Sequence, residues 1–321
     1  MRSRRDVDVP ALVEQARAGS PRAVARLITL VENAHPSLRE VMAALAPHTG
    51  RARVIGLTGS PGVGKSTTTS MLVSGLRARG SRVGVLAVDP SSPFSGGALL
   101  GDRIRLVDHA LDPGVYIRSM ASRGHLGGLA WATPQALRVL DAAGCDVILV
   151  ETVGVGQSEV EVAGLADTTM VLLAPGMGDG VQAAKAGILE IGDVFVVNKA
   201  DREGADATVR DLRHMISLGD RTEPGLWRPP VLKTVAERRE GLEDLLEALD
   251  KHEGWMDENG ELARRRADRA AREVEAIALA ELRSRMGDVR GEGALQRVTE
   301  QVVAGRLDPY AAADEVVAEL T

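Results

Sequence analysis

Apolar positions along the chain follow two periods, which exchange near residues 50 and 241. Between residues 8 and 49 they recur every three to four positions. VPALVEQARAG, SPRAVARLITLVENA and PSLREVMAALAPH read as three short helices, with Ser20-Pro21 and His35-Pro36 as helix starts. From Arg53 to about Ala236 the pattern becomes short, nearly continuous apolar runs: RVIGLT, RVGVLAV, VYIRSM, DVILVE, TTMVLLA, DVFVVN and PVLKTV. Helical segments separate them. Strands apolar on both faces and alternating with helices predict an α/β fold, a mostly parallel central sheet flanked by helices. Ligands of such sheets sit at the carboxyl ends of the strands. After Gly241 the helical period returns. ENGELARRRADRAAREVEAIALAELRSRM reads as one long helix, with Glu261/Arg265 and Arg269/Glu273 at i,i+4 spacing. Its apolar stripe, Val274, Ile277, Ala278 and Leu282, is suited to packing on the main domain or on a second subunit. Two short helices, 291–304 and 308–320, complete the chain. The expected domains are a helical extension (1–50), an α/β domain (51–255) and a C-terminal helical arm (256–321).

Composition narrows the classes. The 321 residues carry a net charge of −6, which argues against a general nucleic-acid binder. Arg264-Arg265-Arg266 reads as the solvated face of a helix rather than a nucleic-acid patch. Cys145 is the single cysteine. It excludes an intramolecular disulfide, disfavours a cysteine metal cluster and reads as a small buried residue at a strand start. The six histidines, at 35, 48, 109, 125, 214 and 252, are scattered and read as ordinary surface residues. No apolar run approaches the ~18 residues of a membrane span. The start MRSRRDVDVP is basic but lacks an apolar signal core, so a cytoplasmic protein without a membrane partner is expected.

Candidate chemistry lies where apolar runs stop. GSPGVGKST, Gly59 to Thr67, follows RVIGLT and precedes a helix. It matches the phosphate-binding pattern G-x-x-x-x-G-K-[ST]. Backbone N–H groups of Gly59, Pro61 to Gly64 and Thr67 surround the phosphate position, apart from the proline, which shapes the turn. The helix start adds partial positive charge. Lys65 is expected to span the β- and γ-phosphates, and the Ser66 hydroxyl to ligate Mg²⁺. VFVVNKAD supplies the base. Asp201 offers two acceptor positions to the guanine N1–H and 2-amino group, Asn198 the purine edge, and the Lys199 stem a cover for the ring. Thr234-Val235-Ala236, after the next run, is a further base-contacting candidate. The expected ligands are GTP and GDP. Asp89 ends VGVLAVD and reads as a Mg²⁺-side acid or as a turn acid before Pro90. Asp102 fits equally well as a helix N-cap. Glu151 ends VILVE ahead of Gly154, where nucleotide hydrolases usually place an aspartate.

These motifs, in this order, resemble the MeaB/ArgK-type G proteins, chaperones of adenosylcobalamin-dependent acyl-CoA mutases such as methylmalonyl-CoA mutase. The selective stretches are AVDPSSPFSGGALLGDRIRL, RSMASRGHLGGLA, ETVGVGQSEVEVAGLAD and PGMGDGVQAAKAGILEIGD. The resemblance implies a P-loop GTPase. Asp89, Asp102 and Glu151 would be acids around the metal and attacking water, and Gly154 a switch residue at the γ-phosphate. Pro175 to Lys185 would form a third switch. It also implies a homodimer joined through the C-terminal arm. GTP hydrolysis would gate adenosylcobalamin transfer from an adenosyltransferase to the mutase, with no cobalamin held by the G protein itself. Gln157 lies three residues beyond Gly154 and is not assigned as the water-positioning residue.

Three other readings share parts of this pattern. A kinase of an amino-acid transport system would use ATP, against which Asp201 argues. A nickel-insertion GTPase would want a His/Cys cluster. A signal-recognition GTPase would want a Met-rich groove and a basic domain.

Overall fold

The computed structural model describes residues 7–89, 108–121, 132–152, 158–176, 187, 189–218, 225–291 and 294–318. Each of the seven apolar runs forms a strand: β1 (Arg53–Thr58), β2 (Val83–Asp89), β3 (Val115–Ala121), β4 (Val147–Thr152), β5 (Thr168–Leu173), β6 (Val194–Val197) and β7 (Val231–Lys233). They make one sheet in the order β3-β2-β4-β1-β5-β6-β7. Every pairing is parallel. Residues 53–58, 147–152 and 168–173 are buried throughout, which explains why their sequences are apolar without alternation.

Helices cover both faces. On one lie α1 (Val9–Arg17), α2 (Pro21–Glu32) and α3 (Leu38–Leu45), with α5 (Thr133–Ala142) and α6 (Ser158–Leu165). Leu27, Ile28, Val41 and Leu45 join Leu86, Ile148 and Val150 in one core. Burial of a side chain such as Leu27, Ile28 or Leu45 contributes about 1.5–3 kcal/mol. The N-terminal helices are therefore a layer of the first compact unit, Met1–Ala263, rather than an appendage to it. Asp141 fastens them, accepting from the backbone N–H groups of Gly50 (2.5 Å), Arg51 (3.3 Å) and Ala52 (3.0 Å) just before β1. On the other face, α4 (Lys65–Ala78) and α8 (Leu242–Glu258) place Leu72, Leu76, Leu245 and Leu249 against Ile55, Leu57 and Leu149. Helix α7 (Ala205–Ser217) packs beside the β6 and β7 edge through Val209 and Leu212.

Two local expectations change. Ser20 caps α2 as its pattern implies, its Oγ accepting from Ala23 N–H at 3.4 Å. His35-Pro36, by contrast, is not a helix start. His35 Nδ1 accepts from Ser37 N–H (3.2 Å) and its carbonyl from Leu38 N–H (2.8 Å), so Pro36 is held in a turn and α3 begins at Leu38. The scattered histidines are not all surface residues either. His252 on α8 is fully buried at the amino ends of β5 and β6. Its Nδ1 meets Thr168 Oγ1 at 2.9 Å, and its Nε2 approaches Asp193 Oδ1 at 3.4 Å. Trp227 and Trp255 lie against the ring, 4.8 and 5.9 Å between centroids. Helical spacing alone could not distinguish this position from an exposed one. Cys145, buried immediately before β4, matches its reading, and burial pushes its thiol up to about 12.

The second unit, Arg264–Thr321, continues α9 (Glu261–Gly291) and adds α10 (Ala294–Val303) and α11 (Pro309–Ala318). Helix α9 runs through to Gly291, where a separate helix was expected to start. Glycine inside a helix costs about 1 kcal/mol against alanine, so Gly287 does not end it. Val298, Ala312 and Val316 join α10 to α11. Arg264 and Asp268 pair at 3.0 Å across one turn. Val274, Ile277 and Leu282 are exposed on α9. Among the described residues no helix is long and apolar enough to cross a membrane.

Candidate functional site

The loop between β1 and α4 takes its shape from glycine at two points. Gly59 has φ +141°, and a Cβ there would stand 2.2 Å from the Leu172 carbonyl oxygen on β5. Gly64 has φ +97°, and its Cβ would stand 2.4 Å from Asn198 Nδ2. Both therefore combine a left-handed backbone with a close approach, which only glycine accommodates. Gly64 is also the N-cap of α4. Having no side chain, it leaves the first N–H groups of the helix to whatever binds in front of them, a setting that favours an anion. Within the loop Val63 is buried, while Pro61 and Gly62 are exposed.

Lys65 opens α4 and is almost fully buried. Its Nζ donates to the carbonyls of Gly59 (2.6 Å) and Ser60 (3.1 Å), so the ammonium rests on the rim of its own loop. Ser66 and Thr69, three residues apart on one face of α4, both turn toward β4. Ser66 Oγ donates to Glu151 Oε1 at 2.6 Å, and Thr69 Oγ1 to Glu151 Oε2 at 2.8 Å. The β1–β4 register, Leu57 opposite Glu151, carries the carboxylate to the end of β1 where the loop begins. Glu151 is only 5% exposed, which sets it apart from a solvated strand-end acid.

The second half of the site follows β6. Asn198 is 2% exposed and bridges two loops. Its Nδ2 donates to the Val63 carbonyl at 2.9 Å. Its Oδ1 accepts from Ala236 N–H (3.0 Å) and Thr234 Oγ1 (3.2 Å). Lys199, at φ +57°, donates from Nζ to the Gly62 carbonyl at 2.6 Å. The phosphate loop, the Asn198–Asp201 stretch and Thr234-Val235-Ala236 are thereby one hydrogen-bonded ensemble. Asp201 is exposed at its edge, 3.4 Å from Arg238 Nη2. Thr67 is half-buried on α4.

Asp89 ends β2, but its side chain lies outside the described residues, as do Asp102, Gly154, Gln157 and the switch stretch from 177 onward. The structure adds two contacts that motif spacing did not indicate. One is Thr69 on Glu151. The other joins Ser70 Oγ to His109 Nε2 at 3.0 Å, linking α4 to the turn at 108–110. Neither has a sequence signal, because each pairs residues that are ordinary in their own segments. Nearby, Arg77 and the Gly114 N–H hold the Asp112 carboxyl below its ordinary range, fixing the entry to β3.

The donor set suits a small hard cation. Ser66 and Glu151 present oxygen atoms to one another, and Mg²⁺ takes hard oxygen ligands while keeping several waters.

The family described as "Methylmalonyl Co-A mutase-associated GTPase MeaB" matches residues 24–289. A Pyrococcus abyssi protein named "Putative GTPase" is 47% identical over 97% of this chain and 97% of its own. The methylmalonic aciduria type A homolog of Caenorhabditis elegans, a mitochondrial protein, is 35% identical over 82% of this chain and 70% of its own. Among solved structures, a LAO/AO transport system kinase superposes with a TM-score of 0.71. It is 26% identical and covers 97% of both chains.

Proposed function

Because the chain belongs to the MeaB family of methylmalonyl-CoA mutase-associated GTPases, we propose that its GTP hydrolysis gates the loading of adenosylcobalamin into an acyl-CoA mutase and protects that mutase. The observation carrying the nucleotide half is the ensemble around Asn198 and Glu151 at the carboxyl ends of β6 and β4. Phosphate loop, acid and base-reading motif converge there. The client is inferred from the family and from the name of the nematode relative.

In this reading a triphosphate takes the place of the Gly59 and Ser60 carbonyls as the partner of Lys65 Nζ. The exchange is favourable because an ammonium bonds more strongly to a charged oxygen than to a neutral one. N–H groups at the start of α4 receive phosphate oxygens. Mg²⁺, held by Ser66 with Glu151, Asp89 and Asp102 as its acidic surroundings, would neutralise charge on the β- and γ-phosphates. Glu151 accepts the Ser66 hydroxyl's hydrogen bond and so leaves the hydroxyl oxygen's lone pairs free for the metal. Asp201 reads guanine, with Asn198 holding the loops in register beside it. Gly154 and the stretch from Pro175 to Lys185 respond to the γ-phosphate. The protein works in the cytoplasm as a homodimer through its C-terminal arm, where Val274, Ile277 and Leu282 offer an apolar stripe. A cobalamin adenosyltransferase is the third member of the exchange.

Two measurements test this reading. Calorimetry is expected to give tight GDP and weak ADP binding, with Asp201→Asn shifting preference toward xanthosine diphosphate. Equal affinity for GDP and ADP would favour an ATP-using kinase instead. A cobalamin-dependent acyl-CoA mutase added to the purified protein is expected to raise GTP turnover, and unchanged turnover with methylmalonyl- and isobutyryl-CoA mutases alike would refute the chaperone role.

A further inference from the structure

Glu151 is gripped at both oxygens by one helix. Ser66 takes Oε1 and Thr69 takes Oε2, and all three side chains are 5% exposed or less. The Ser66 contact is what a metal-ligating hydroxyl beside an acid requires. The Thr69 contact is not part of the phosphate-loop pattern, which ends at Ser66. From this geometry we infer that Thr69 is a positioning residue for the site: its hydroxyl fixes the plane of the Glu151 carboxylate, so that Oε1 faces Ser66 and the metal position. The inference rests on the reading of Glu151 as the acid of that position.

Thr69 Oγ1 has a single proton and two acceptors in reach, Glu151 Oε2 at 2.8 Å and the Lys65 carbonyl at 3.0 Å. Helical threonines commonly bond back to the carbonyl four residues earlier. Here the carboxylate is nearer and charged, and a hydrogen bond to an ionised acceptor is roughly twice as strong as a neutral one. The proton therefore goes to Glu151. A carboxylate held at one oxygen only can pivot about that bond. With both oxygens held it presents one fixed edge. The spacing makes this possible: positions 66 and 69 lie almost one turn apart, so both hydroxyls reach the same carboxyl group from the same side.

The test uses the full-length protein with Thr69→Val, which keeps the branched shape and removes the hydroxyl, Thr69→Ser, which keeps the hydroxyl, and Glu151→Gln. GDP affinity is measured by calorimetry in EDTA and across a Mg²⁺ titration, and GTP turnover across the same titration. In Thr69→Val, GDP affinity in EDTA is expected within twofold of wild type. The Mg²⁺ concentration for half-maximal effect should rise about three- to tenfold, the scale of one ordinary net hydrogen bond. Thr69→Ser should restore the wild-type value. A bond to the Lys65 carbonyl alone would leave the Mg²⁺ response untouched. If Thr69→Val does not fold, Thr69→Ala against Thr69→Ser gives the same comparison. A wild-type Mg²⁺ response without the hydroxyl, with Glu151→Gln impaired, overturns the role of Thr69 alone. A wild-type response in Glu151→Gln overturns the reading of Glu151 and this inference with it.

Discussion

Replacing Asn198 by alanine probes the ensemble that joins the phosphate loop to the stretches at 198–201 and 234–236. The side chain makes three hydrogen bonds from a site only 2% exposed. Each contributes about 0.5–1.5 kcal/mol net, and a buried group left without its partner costs about 1–3 kcal/mol. The Ala236 N–H and the Val63 carbonyl are fixed by the backbone, so alanine strands both. Two stranded groups give a loss of roughly 2–6 kcal/mol. At roughly 2–4 °C per kcal/mol for domains of this scale, the nucleotide-free protein should melt about 4–24 °C lower. Asn198→Asp dissects the effect. It keeps an acceptor for Ala236 and Thr234 but sets a carboxylate against the Val63 carbonyl, so it should lose GDP affinity at least as severely as alanine. The assay pairs thermal unfolding without nucleotide with calorimetric GDP binding. A melting temperature within 1 °C of wild type in Asn198→Ala, with GDP affinity intact, would refute the bracing role.

Gly64→Ala forces a Cβ to 2.4 Å from Asn198 Nδ2 at φ +97°. It should destabilise the apo protein by at least about 1–2 kcal/mol and abolish GDP binding, both readable from the same pair of assays. His252→Phe keeps an aromatic ring between the tryptophans but strands the Thr168 hydroxyl. Unfolding in urea should show a loss of about 1–3 kcal/mol, while GDP affinity stays at wild type because the cluster lies at the opposite ends of the strands from the phosphate loop. Cys145, with its thiol pushed up to about 12 by burial, stays protonated through neutral and mildly alkaline pH. Thiol reagents at pH 8 should therefore label the native protein far more slowly than the urea-unfolded one, and equal rates would refute its burial.

Much of this protein is written in local patterns. Seven largely apolar runs specified seven strands, because a sheet covered on both faces buries its inner strands throughout and leaves little to alternate. The phosphate loop was legible because only glycine fits its left-handed turns, and because a strand and a helix must bracket it. Motif spacing placed Glu151 and Asn198 at strand ends and Lys65 and Ser66 at the start of the helix after β1, and a parallel sheet brings strand ends of the same sense together. What remained hidden depends on contacts between distant residues. Thr69 on Glu151 spans 82 positions, Asn198 on Val63 spans 135 and His252 on Thr168 spans 84. In each case the segment carrying the residue would look the same were the partner absent, since helix and strand periods record only which face is buried and not what lies beneath it. The N-terminal helices show the same limit. Their amphipathic period announced a face to be covered, but only the packed sheet revealed that Leu86, Ile148 and Val150 cover it. Local chemistry determined the elements and the ligand-binding loops; the register of β1 on β4 and the layering of helices decided which side chains meet.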